Sequence, residues 1–265
     1  MACLPLFEST VQNRIRILEA SHIALFLDFD GTLAPICARP ADVRLDPEVR
    51  ETLAALARRD DIILSIVSGR EVRELRELID VPGLIYAGNH GLQIVGKHLD
   101  FLEPVAAARR ELIDTIAADL AQKLTYIPGT EVEFKKLSVA VHYRRSKPED
   151  ATAVGNAVRR AAEEAGPLVQ INSGKMVWEI LPRTGWNKGT ATSWIYHRLG
   201  LPKALVIYVG DDRTDEDAFQ RFRDSVTIRV GDPEETLANY FLQSPGEVHE
   251  FLQWLESSRS RRSRN

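Results

Sequence analysis

The chain has 265 residues, which is enough for one large domain or two small ones with an ample core. Hydrophobic residues make up 44% and charged residues 27%, and the formal net charge is −4. This composition is typical of a soluble globular protein and excludes a strongly basic nucleic-acid binder. The two cysteines, Cys3 and Cys37, exclude a disulfide framework and match no zinc spacing, which favours a reducing compartment. We expect neither a signal peptide nor a membrane span.

The first predicted element is a strand over Ile23–Leu27, where a short apolar run ends in the string DFDGTL at 28–33. Such a run is typical of a fully buried strand. The carboxylates of Asp28 and Asp30 follow at its carboxyl end, which is the edge where open α/β sheets bind ligands. Because two like charges are costly to place together, the pair indicates a hard divalent cation and a carboxylate free to attack a substrate. An isolated Asp-x-Asp would instead favour a simple turn.

Strand and helix patterns alternate along the chain on both sides of a central segment. They predict a helix over 46–59, a strand over 62–67, a helix over 71–79, a strand over 84–87, a helix over 190–198 and strands over 204–209 and 225–230. Alternation with continuous apolar strands predicts an α/β fold with a doubly wound, Rossmann-like parallel sheet.

The central segment has a different pattern. It predicts a helix over 104–124, strands over 130–135 and 138–144, a helix over 148–165 and a hairpin of 168–172 with 176–181. The order αββαββ predicts a small α+β cap domain inserted into the core. We therefore expect a core domain of 1–102 and 185–256, an inserted cap domain of 103–184, and a disordered basic tail of 257–265 that is rich in serine and arginine.

Polar strings follow the second and third predicted strands. Ser68, Gly69 and Arg70 lie between a strand and a helix, where a hydroxyl and a helix N-terminus can bind an anion. A Ser-Gly pair is also a common helix cap, so this string alone is not specific. The string GNHG at 88–91 offers Asn89 and His90 as donors to a sugar or a phosphate, or forms an ordinary turn.

Two charged strings complete the set. Lys188 lies at a predicted helix start, where a cation is unfavourable unless it neutralises an anion or a carboxylate. The string GDDRTDED at 210–217 places five acidic residues in eight positions directly after a buried strand. Because all these strings lie at strand ends of one predicted sheet, their loops can converge, and the acidic string indicates the second half of a metal site.

The combination of DxDGT, a serine, a lysine and GDDxTDED resembles the haloacid dehalogenase-like phosphohydrolase superfamily. The longer strings LDFDGTLAPI, SGR, AGNHGL, GWNKG and GDDRTDEDAF are similar to those of the trehalose-6-phosphate phosphatase family, from about Ile23 to about Leu255. The resemblance implies a Mg²⁺-dependent phosphatase that releases trehalose and phosphate from trehalose 6-phosphate through an aspartyl-phosphate.

The resemblance also implies a role for each core residue. Asp28 resembles the nucleophile, and Asp30 resembles the general acid/base, whose protonated form we expect Asp28 or partial burial to favour. Ser68 and Lys188 resemble the residues that bind the transferring phosphoryl oxygens. The implied Mg²⁺ ligands are Asp28, the backbone carbonyl of Asp30 and Asp211, with Asp212 and Asp215 as supporting ligands.

In the resembling family the cap domain closes over the sugar and excludes water. Its candidate sugar-contacting residues are Glu131, Lys136, His142, Arg144, Lys175 and Glu179. Lys175 and Glu179 come first, because GKMVWEILP at 174–182 is similar to the family's cap hairpin. The full predicted substrate-binding set is Gly69, Arg70, Asn89, His90, Gly91, Glu131, Arg144, Lys175 and Glu179.

Three alternatives share part of this pattern. A phosphatase for sucrose 6-phosphate or mannosyl-3-phosphoglycerate has the same core motifs, and a phosphohexomutase has the same fold. A non-catalytic sugar-phosphate sensor is disfavoured because none of the five core side chains has been lost, namely Asp28, Asp30, Ser68, Lys188 and Asp211. We expect a small-molecule sugar phosphate as the partner, no nucleic acid, no membrane, a monomer and a cytoplasmic location.

Overall fold

The computed structural model describes residues 3–6, 16–200 and 203–262. The chain divides into two compact units, of which the first comprises Met1–Asp100 and Asn187–Asn265 and the second comprises Phe101–Trp186. The predicted cap domain, 103–184, lies inside the second unit. None of the helices in these described ranges is both long and apolar enough to cross a membrane.

The strands and helices are numbered in chain order. The strands are β1 (Leu4–Pro5), β2 (Ile23–Leu27), β3 (Ile62–Val67), β4 (Ile85–Gly88), β5 (Gln93–Gly96), β6 (Leu99–Leu102), β7 (Glu131–Phe134), β8 (Val139–His142), β9 (Val169–Gly174), β10 (Val177–Pro182), β11 (Leu205–Gly210), β12 (Val226–Val230) and β13 (Tyr240–Leu242). The α-helices after residue 20 are α1 (Pro47–Ala57), α2 (Val72–Ile79), α3 (Pro104–Ala108), α4 (Arg110–Leu124), α5 (Ala151–Ala165), α6 (Lys188–Arg198), α7 (Glu216–Arg221) and α8 (Pro245–Arg262). Residues 16–19 are also helical.

A nine-stranded sheet in the order β1-β13-β12-β11-β2-β3-β4-β5-β6 forms the first unit. Along this order, every pair of neighbouring strands from β1 through β13, β12, β11, β2 and β3 to β4 is parallel. β4 and β5 pair antiparallel. All five residues of β2 are buried, as expected for a central strand covered on both faces. The predicted α/β fold with a doubly wound parallel sheet is therefore confirmed.

A four-stranded antiparallel sheet, β7-β8-β10-β9, forms the second unit together with α3, α4 and α5. Its core contains Ile113 and Leu120 from α4, Val154 and Val158 from α5, and Ile180 from β10. The observed order of helices and strands confirms the predicted α+β insert. The predicted single helix over 104–124 is instead two helices, because the backbone of Arg109 (φ −102°, ψ 12°) leaves the helical conformation between α3 and α4.

The prediction of a disordered tail at 257–265 is wrong for residues 257–262. They continue α8, and Arg259 within them is fully buried. Its Nη1 donates to the backbone oxygens of Leu18 (3.2 Å) and Ala20 (2.7 Å), and its Nε lies 3.0 Å from Asp61 Oδ2. A buried guanidinium with these partners orders a segment whose composition predicts disorder. The last three residues, 263–265, lie outside the described part of the chain.

Candidate active site

Four neighbouring parallel strands, β11, β2, β3 and β4, bring the predicted strings to one edge of the large sheet. Asp28 follows β2, Ser68 follows β3, Asn89 follows β4 and Asp211 follows β11. Because the strands are parallel, all four residues leave the sheet at its carboxyl edge. The topology therefore places the core site residues at a common edge.

Three carboxylates form a buried cluster at this edge. One carboxylate oxygen from each of Asp28, Asp211 and Asp215 lies within 4.8 Å of the other two. The three residues are 4%, 3% and 0% exposed, respectively, so water stabilises their charges little. Burial raises the pKa of Asp28 well above its usual range, since the charges of Asp215 and Asp211 add to it and Lys188 opposes it only in part.

Lys188 is the first residue of α6, and its side chain enters the carboxylate cluster. Its Nζ lies 3.0 Å from Asp28 Oδ2 and 2.8 Å from Asp215 Oδ1. Asn187 caps the helix by accepting from the Thr190 backbone N–H at 2.8 Å, which fixes where Lys188 leaves the backbone. Burial by itself would lower the pKa of Lys188, but Asp215 and Asp28 raise it above its usual range. Lys188 is therefore a permanent cation between two carboxylates.

Asp215 is held from three sides. In addition to Lys188, the Tyr208 hydroxyl donates to its Oδ1 at 2.8 Å, and the Asp212 backbone N–H donates to its Oδ2 at 2.9 Å. Asp212 itself caps the short turn Arg213–Asp215, because its side chain accepts from the Asp215 backbone. Thus Asp215 belongs to the carboxylate cluster, whereas the ligand role of Asp212 stays a prediction.

The residues present fit a hard divalent cation. Three buried carboxylates face one lysine ammonium, so the cluster has an excess of negative charge and offers the oxygen ligands that Mg²⁺ prefers. Gly31, with φ at +79°, brings the backbone after Asp28 against Asp211, since an added Cβ would lie 2.2 Å from Asp211 Oδ2. Glycine at this turn therefore lets the two metal-ligand candidates from β2 and β11 approach each other.

Asp30 is held by Arg70, a contact that the sequence does not predict. Its carboxylate forms a two-point ion pair with Arg70, with Nε to Oδ2 and Nη2 to Oδ1 both at 2.7 Å. Its side chain remains 35% exposed, whereas that of Arg70 is 6% exposed. The forked guanidinium contact fixes the orientation of the Asp30 carboxylate. The arginine of the SGR string, which the sequence predicts as a substrate contact, is thus paired with Asp30.

The loops after β3 and β4 are joined through their backbones. The Asn89 N–H donates to the Arg70 carbonyl at 2.8 Å, and the His90 N–H donates to the Ser68 carbonyl at 2.9 Å. Asn89 and His90 both have left-handed backbones, at φ +49° and +58°. The His90 ring lies against Gly69, where an added Cβ would be 2.9 Å from the ring. The structure thus brings the predicted residues Ser68, Gly69, Asn89 and His90 together, with Gly91 completing the same turn.

In the second unit, a polar group lies on the sheet face opposite its helices. Glu179 is 7% exposed and its Oε1 accepts from the Ser138 hydroxyl at 2.6 Å and from Lys135 Nζ at 3.4 Å. Lys135 Nζ also lies 3.8 Å from Glu133 Oε2, which contacts His142 Nε2 at 2.7 Å. The antiparallel register, which aligns Glu133 and Glu179 with Ala140, explains why these side chains share a face.

The other predicted cap residues lie at the ends of β7 and β8 and in the turns of the same sheet. Glu131 pairs with Arg145 at 3.0 Å, and Arg144 Nη2 donates to the Lys175 carbonyl at 2.7 Å. Lys136 occupies a left-handed turn between β7 and β8, at φ +58°. Of the residues that we predicted first, the structure places Glu179 in a buried polar group and Lys175 in the β9–β10 turn.

Comparison with known proteins assigns the family. The trehalose-phosphatase family model matches residues 26–245. The chain belongs to the trehalose-phosphatase family. A probable trehalose-phosphate phosphatase D of Arabidopsis thaliana is 39% identical over 258 residues, which cover 90% of this chain and 69% of that protein. Trehalose 6-phosphate phosphatase RA3 of Zea mays is 35% identical over 264 residues, which cover 92% of this chain and 72% of that protein.

A solved structure of a trehalose-6-phosphate phosphatase related protein has a TM-score of 0.79 and 26% identity, covering 90% of this chain and 99% of that one. The predicted resemblance and the predicted enzyme class, a trehalose-phosphatase, are therefore confirmed. Sequence reasoning missed three residues of this trehalose-phosphatase family member that the structure brings into polar groups, namely Tyr208, Glu133 and Lys135. Strand alternation places Glu133 on the same face as Glu131, but only the observed strand pairing shows that Glu133 and Glu179 both lie opposite Ala140.

Proposed function

We propose that this member of the trehalose-phosphatase family hydrolyses trehalose 6-phosphate to trehalose and inorganic phosphate, through an aspartyl-phosphate at Asp28 and with Mg²⁺. The observation that carries the proposal is the buried cluster of Asp28, Asp211 and Asp215 around Lys188. Phosphoryl transfer depends mainly on positioning and on neutralising the charge of the phosphoryl oxygens, and this cluster supplies fixed charges for both.

In the first half-reaction an Asp28 carboxylate oxygen attacks phosphorus, and the bond from phosphorus to the sugar oxygen breaks. Asp30, as the acid, gives its proton to the leaving sugar oxygen, so that trehalose departs as the neutral alcohol. For this step the Asp30 carboxyl carries a proton. Its 35% exposure leaves it reachable by solvent and substrate.

In the second half-reaction the Asp30 carboxylate accepts a proton from a water molecule, whose oxygen attacks phosphorus. The bond between Asp28 and phosphorus then breaks, which releases inorganic phosphate and restores the Asp28 carboxylate. The two-point contact with Arg70 holds the Asp30 carboxylate oxygens in place for this step.

Lys188 and Ser68 are the proposed ligands of the phosphoryl oxygens, and both are buried at the strand edge. Asp28, Asp211 and Asp215 would hold Mg²⁺, with the Asp30 carbonyl and Asp212 as the remaining predicted ligands. When bound, Mg²⁺ supplies positive charge that keeps Asp28 ionised and stabilises the transferring phosphoryl group.

The sugar-recognition residues are proposed from two groups. In the first unit they are Gly69, Asn89, His90 and Gly91. In the second unit the buried Glu179 and Lys135 and the half-buried Glu133 supply acceptors and donors suited to sugar hydroxyls. We keep Glu131, Arg144 and Lys175 as proposed contacts. Cys3 and Cys37 form no disulfide with each other, and we propose a reducing cytoplasm as the location. A monomeric enzyme completes the proposal.

The test is phosphate release from a panel of trehalose 6-phosphate, sucrose 6-phosphate, glucose 6-phosphate and mannosyl-3-phosphoglycerate, with Mg²⁺ and with EDTA. We expect Mg²⁺-dependent turnover of trehalose 6-phosphate, reduced by about 10³-fold or more in Asp28→Asn because the nucleophile is lost. Asp114→Asn, an exposed aspartate on α4, is the matched control and should keep full activity. Preference for another sugar phosphate would overturn the assignment of the substrate. If the folded wild-type protein hydrolyses no member of the panel, the proposed enzymatic mechanism is wrong.

A further inference from the structure

Arg70 has more fixed partners than a substrate-binding arginine would need. Its Nε and Nη2 hold Asp30, and Nη2 also donates to the Pro40 carbonyl at 3.0 Å. Its Nη1 pairs with Glu74, one turn further along α2. Its guanidinium carbon lies 5.5 Å from the centre of the Phe29 ring. These contacts fix the guanidinium plane at the side of the Asp28–Asp30 turn.

We propose that Arg70 is a positioning residue that sets the orientation of the Asp30 carboxylate, with Glu74 as its anchor. The inference deepens the proposed function and rests on it, since it assigns to Arg70 an action through the general acid/base. It replaces the substrate contact that the sequence predicts for Arg70.

The donor inventory supports this assignment. An arginine has five N–H donors, and here Asp30 takes two of them, Pro40 one and Glu74 one. One donor at most is left for a substrate, and the Arg70 side chain is 6% exposed. Asp30, with 35% exposure, is the outward member of the pair, so a substrate reaches the carboxylate before it reaches the guanidinium.

The fold also explains why Arg70 is rigid enough for this task. Its backbone lies between β3 and α2, and its carbonyl accepts from the Asn89 N–H at 2.8 Å. Burial alone would lower the pKa of Arg70, but the hydrogen bond and charge of Asp30, together with Glu74, raise it above its usual value. Arg70 is therefore always charged and always offers its fork to Asp30.

The first experiment is a double-mutant cycle on purified protein with trehalose 6-phosphate and Mg²⁺. Arg70→Lys keeps a positive charge but loses the planar fork, so we expect kcat to fall by about 10- to 100-fold with KM nearly unchanged. In the Asp30→Asn background the same change should have no further effect, because its target is gone. A rise in KM at constant kcat would instead show that Arg70 contacts the substrate. An equal loss of kcat in the wild-type and Asp30→Asn backgrounds would show that its role is merely structural.

A second substrate separates the steps. In p-nitrophenyl phosphate the leaving group departs without a proton, so the first turnover does not need Asp30 as an acid. We expect Arg70→Lys to keep the rapid burst of p-nitrophenol and to slow the steady rate that follows. Loss of the burst itself would overturn the proposal, because it would place Arg70 at the nucleophile.

The controls keep the outcome decisive. Arg73→Lys changes an exposed arginine on the same helix that pairs with Glu77, and should leave both substrates unaffected. Should Arg70→Lys fail to fold, Glu74→Gln loosens the anchor from a partly exposed position and should lower kcat in the same direction by a smaller factor. The activity of the wild type on the sugar-phosphate panel separates two kinds of failure. If the wild type prefers another ester, the proposed substrate is wrong, and the Arg70 double-mutant cycle is measured on that ester. If trehalose 6-phosphate is the substrate and the cycle gives the contrary result, the positioning role is wrong.

Discussion

Gly31 shows how a residue without a side chain can determine the chemistry of the site. Its backbone is in the left-handed region, and an added Cβ would lie 2.2 Å from the Asp211 carboxylate, which cannot move away without leaving Asp28 and Asp215. The site therefore depends on this glycine as much as on its carboxylates.

We predict that Gly31→Ala lowers phosphatase activity by at least about 100-fold, comparable to removing a catalytic electrostatic contact, because it pushes Asp211 out of the cluster. Gly246→Ala is the matched control, since its Cβ would meet only the Ser244 side chain at an ordinary 3.5 Å. Steady-state kinetics of the two variants measure the difference. Equal activity in both would contradict the close approach of the two strand ends.

Single residues were also where prediction from sequence succeeded and failed most clearly. Asp28, Asp211 and Lys188 could be placed together because each directly follows a strand or opens a helix, and parallel strands share an edge. Asp215 was expected beside them from the family resemblance. The partner of Asp30 could not be predicted, since the SGR string is equally suited to a phosphate. Only the folded backbone shows that Arg70 turns toward Asp30.

At the scale of elements, ion pairs of Asp61 connect α8 with the start of β3. Asp61 lies between two arginines, with Arg59 at 2.8 Å and Arg259 at 3.0 Å. Burial would raise the pKa of Asp61, but the hydrogen bond from Arg59 and the charges of Arg259 and Arg59 hold it below its ordinary value. A carboxylate whose pKa is lowered by folding stabilises the fold above its unfolded pKa of about 3.9 and loses this contribution as the pH falls below that value.

We therefore predict that Asp61→Asn lowers the melting temperature at pH 7, and that the difference from wild type shrinks as the pH falls from about 5 to about 3. Thermal unfolding followed by circular dichroism at several pH values measures it. Glu77→Gln, at an exposed ion pair on α2, is the control and should change little at any pH. A constant difference between Asp61→Asn and wild type across the range would show that the charge of Asp61 is not what joins the two elements.

The long buried strands could be predicted from their apolar runs, whereas β1, β5, β6 and β13 were missed. Each of these has four residues or fewer, and β5 and β6 mix buried with half-buried positions, so they carry no continuous apolar run. The order of α8 was missed for another reason. Arg259 reads as a solvated tail residue by composition, and only its distant partners, the carbonyls near residues 17–21 and Asp61, make its burial possible.

At the scale of the whole molecule, the excess negative charge of the carboxylate cluster links metal binding to stability. A cation that binds only the folded chain stabilises it, by about 2.7 kcal/mol when its concentration is 100 times Kd. We predict that Mg²⁺ raises the melting temperature of the wild type and has little effect on Asp211→Asn. Glu149→Gln, an exposed acidic residue in the second unit, should respond to Mg²⁺ like wild type. A Mg²⁺ response that survives Asp211→Asn would place the ion elsewhere.

The pairing of β11 with β2 has a consequence for the growing polypeptide. Asp28 emerges from the ribosome before Asp211, and the strand that carries Asp211 to it is synthesised only after all of residues 101–186, which have a core of their own. Until then the edge of β2 that will pair with β11 has unpaired backbone N–H and C=O groups, which can pair with a wrong strand. The nascent chain must therefore keep one edge of an apolar strand unpaired while an entire second folding unit is made, and no chain that ends before Asp215 can assemble the three carboxylates of the cluster.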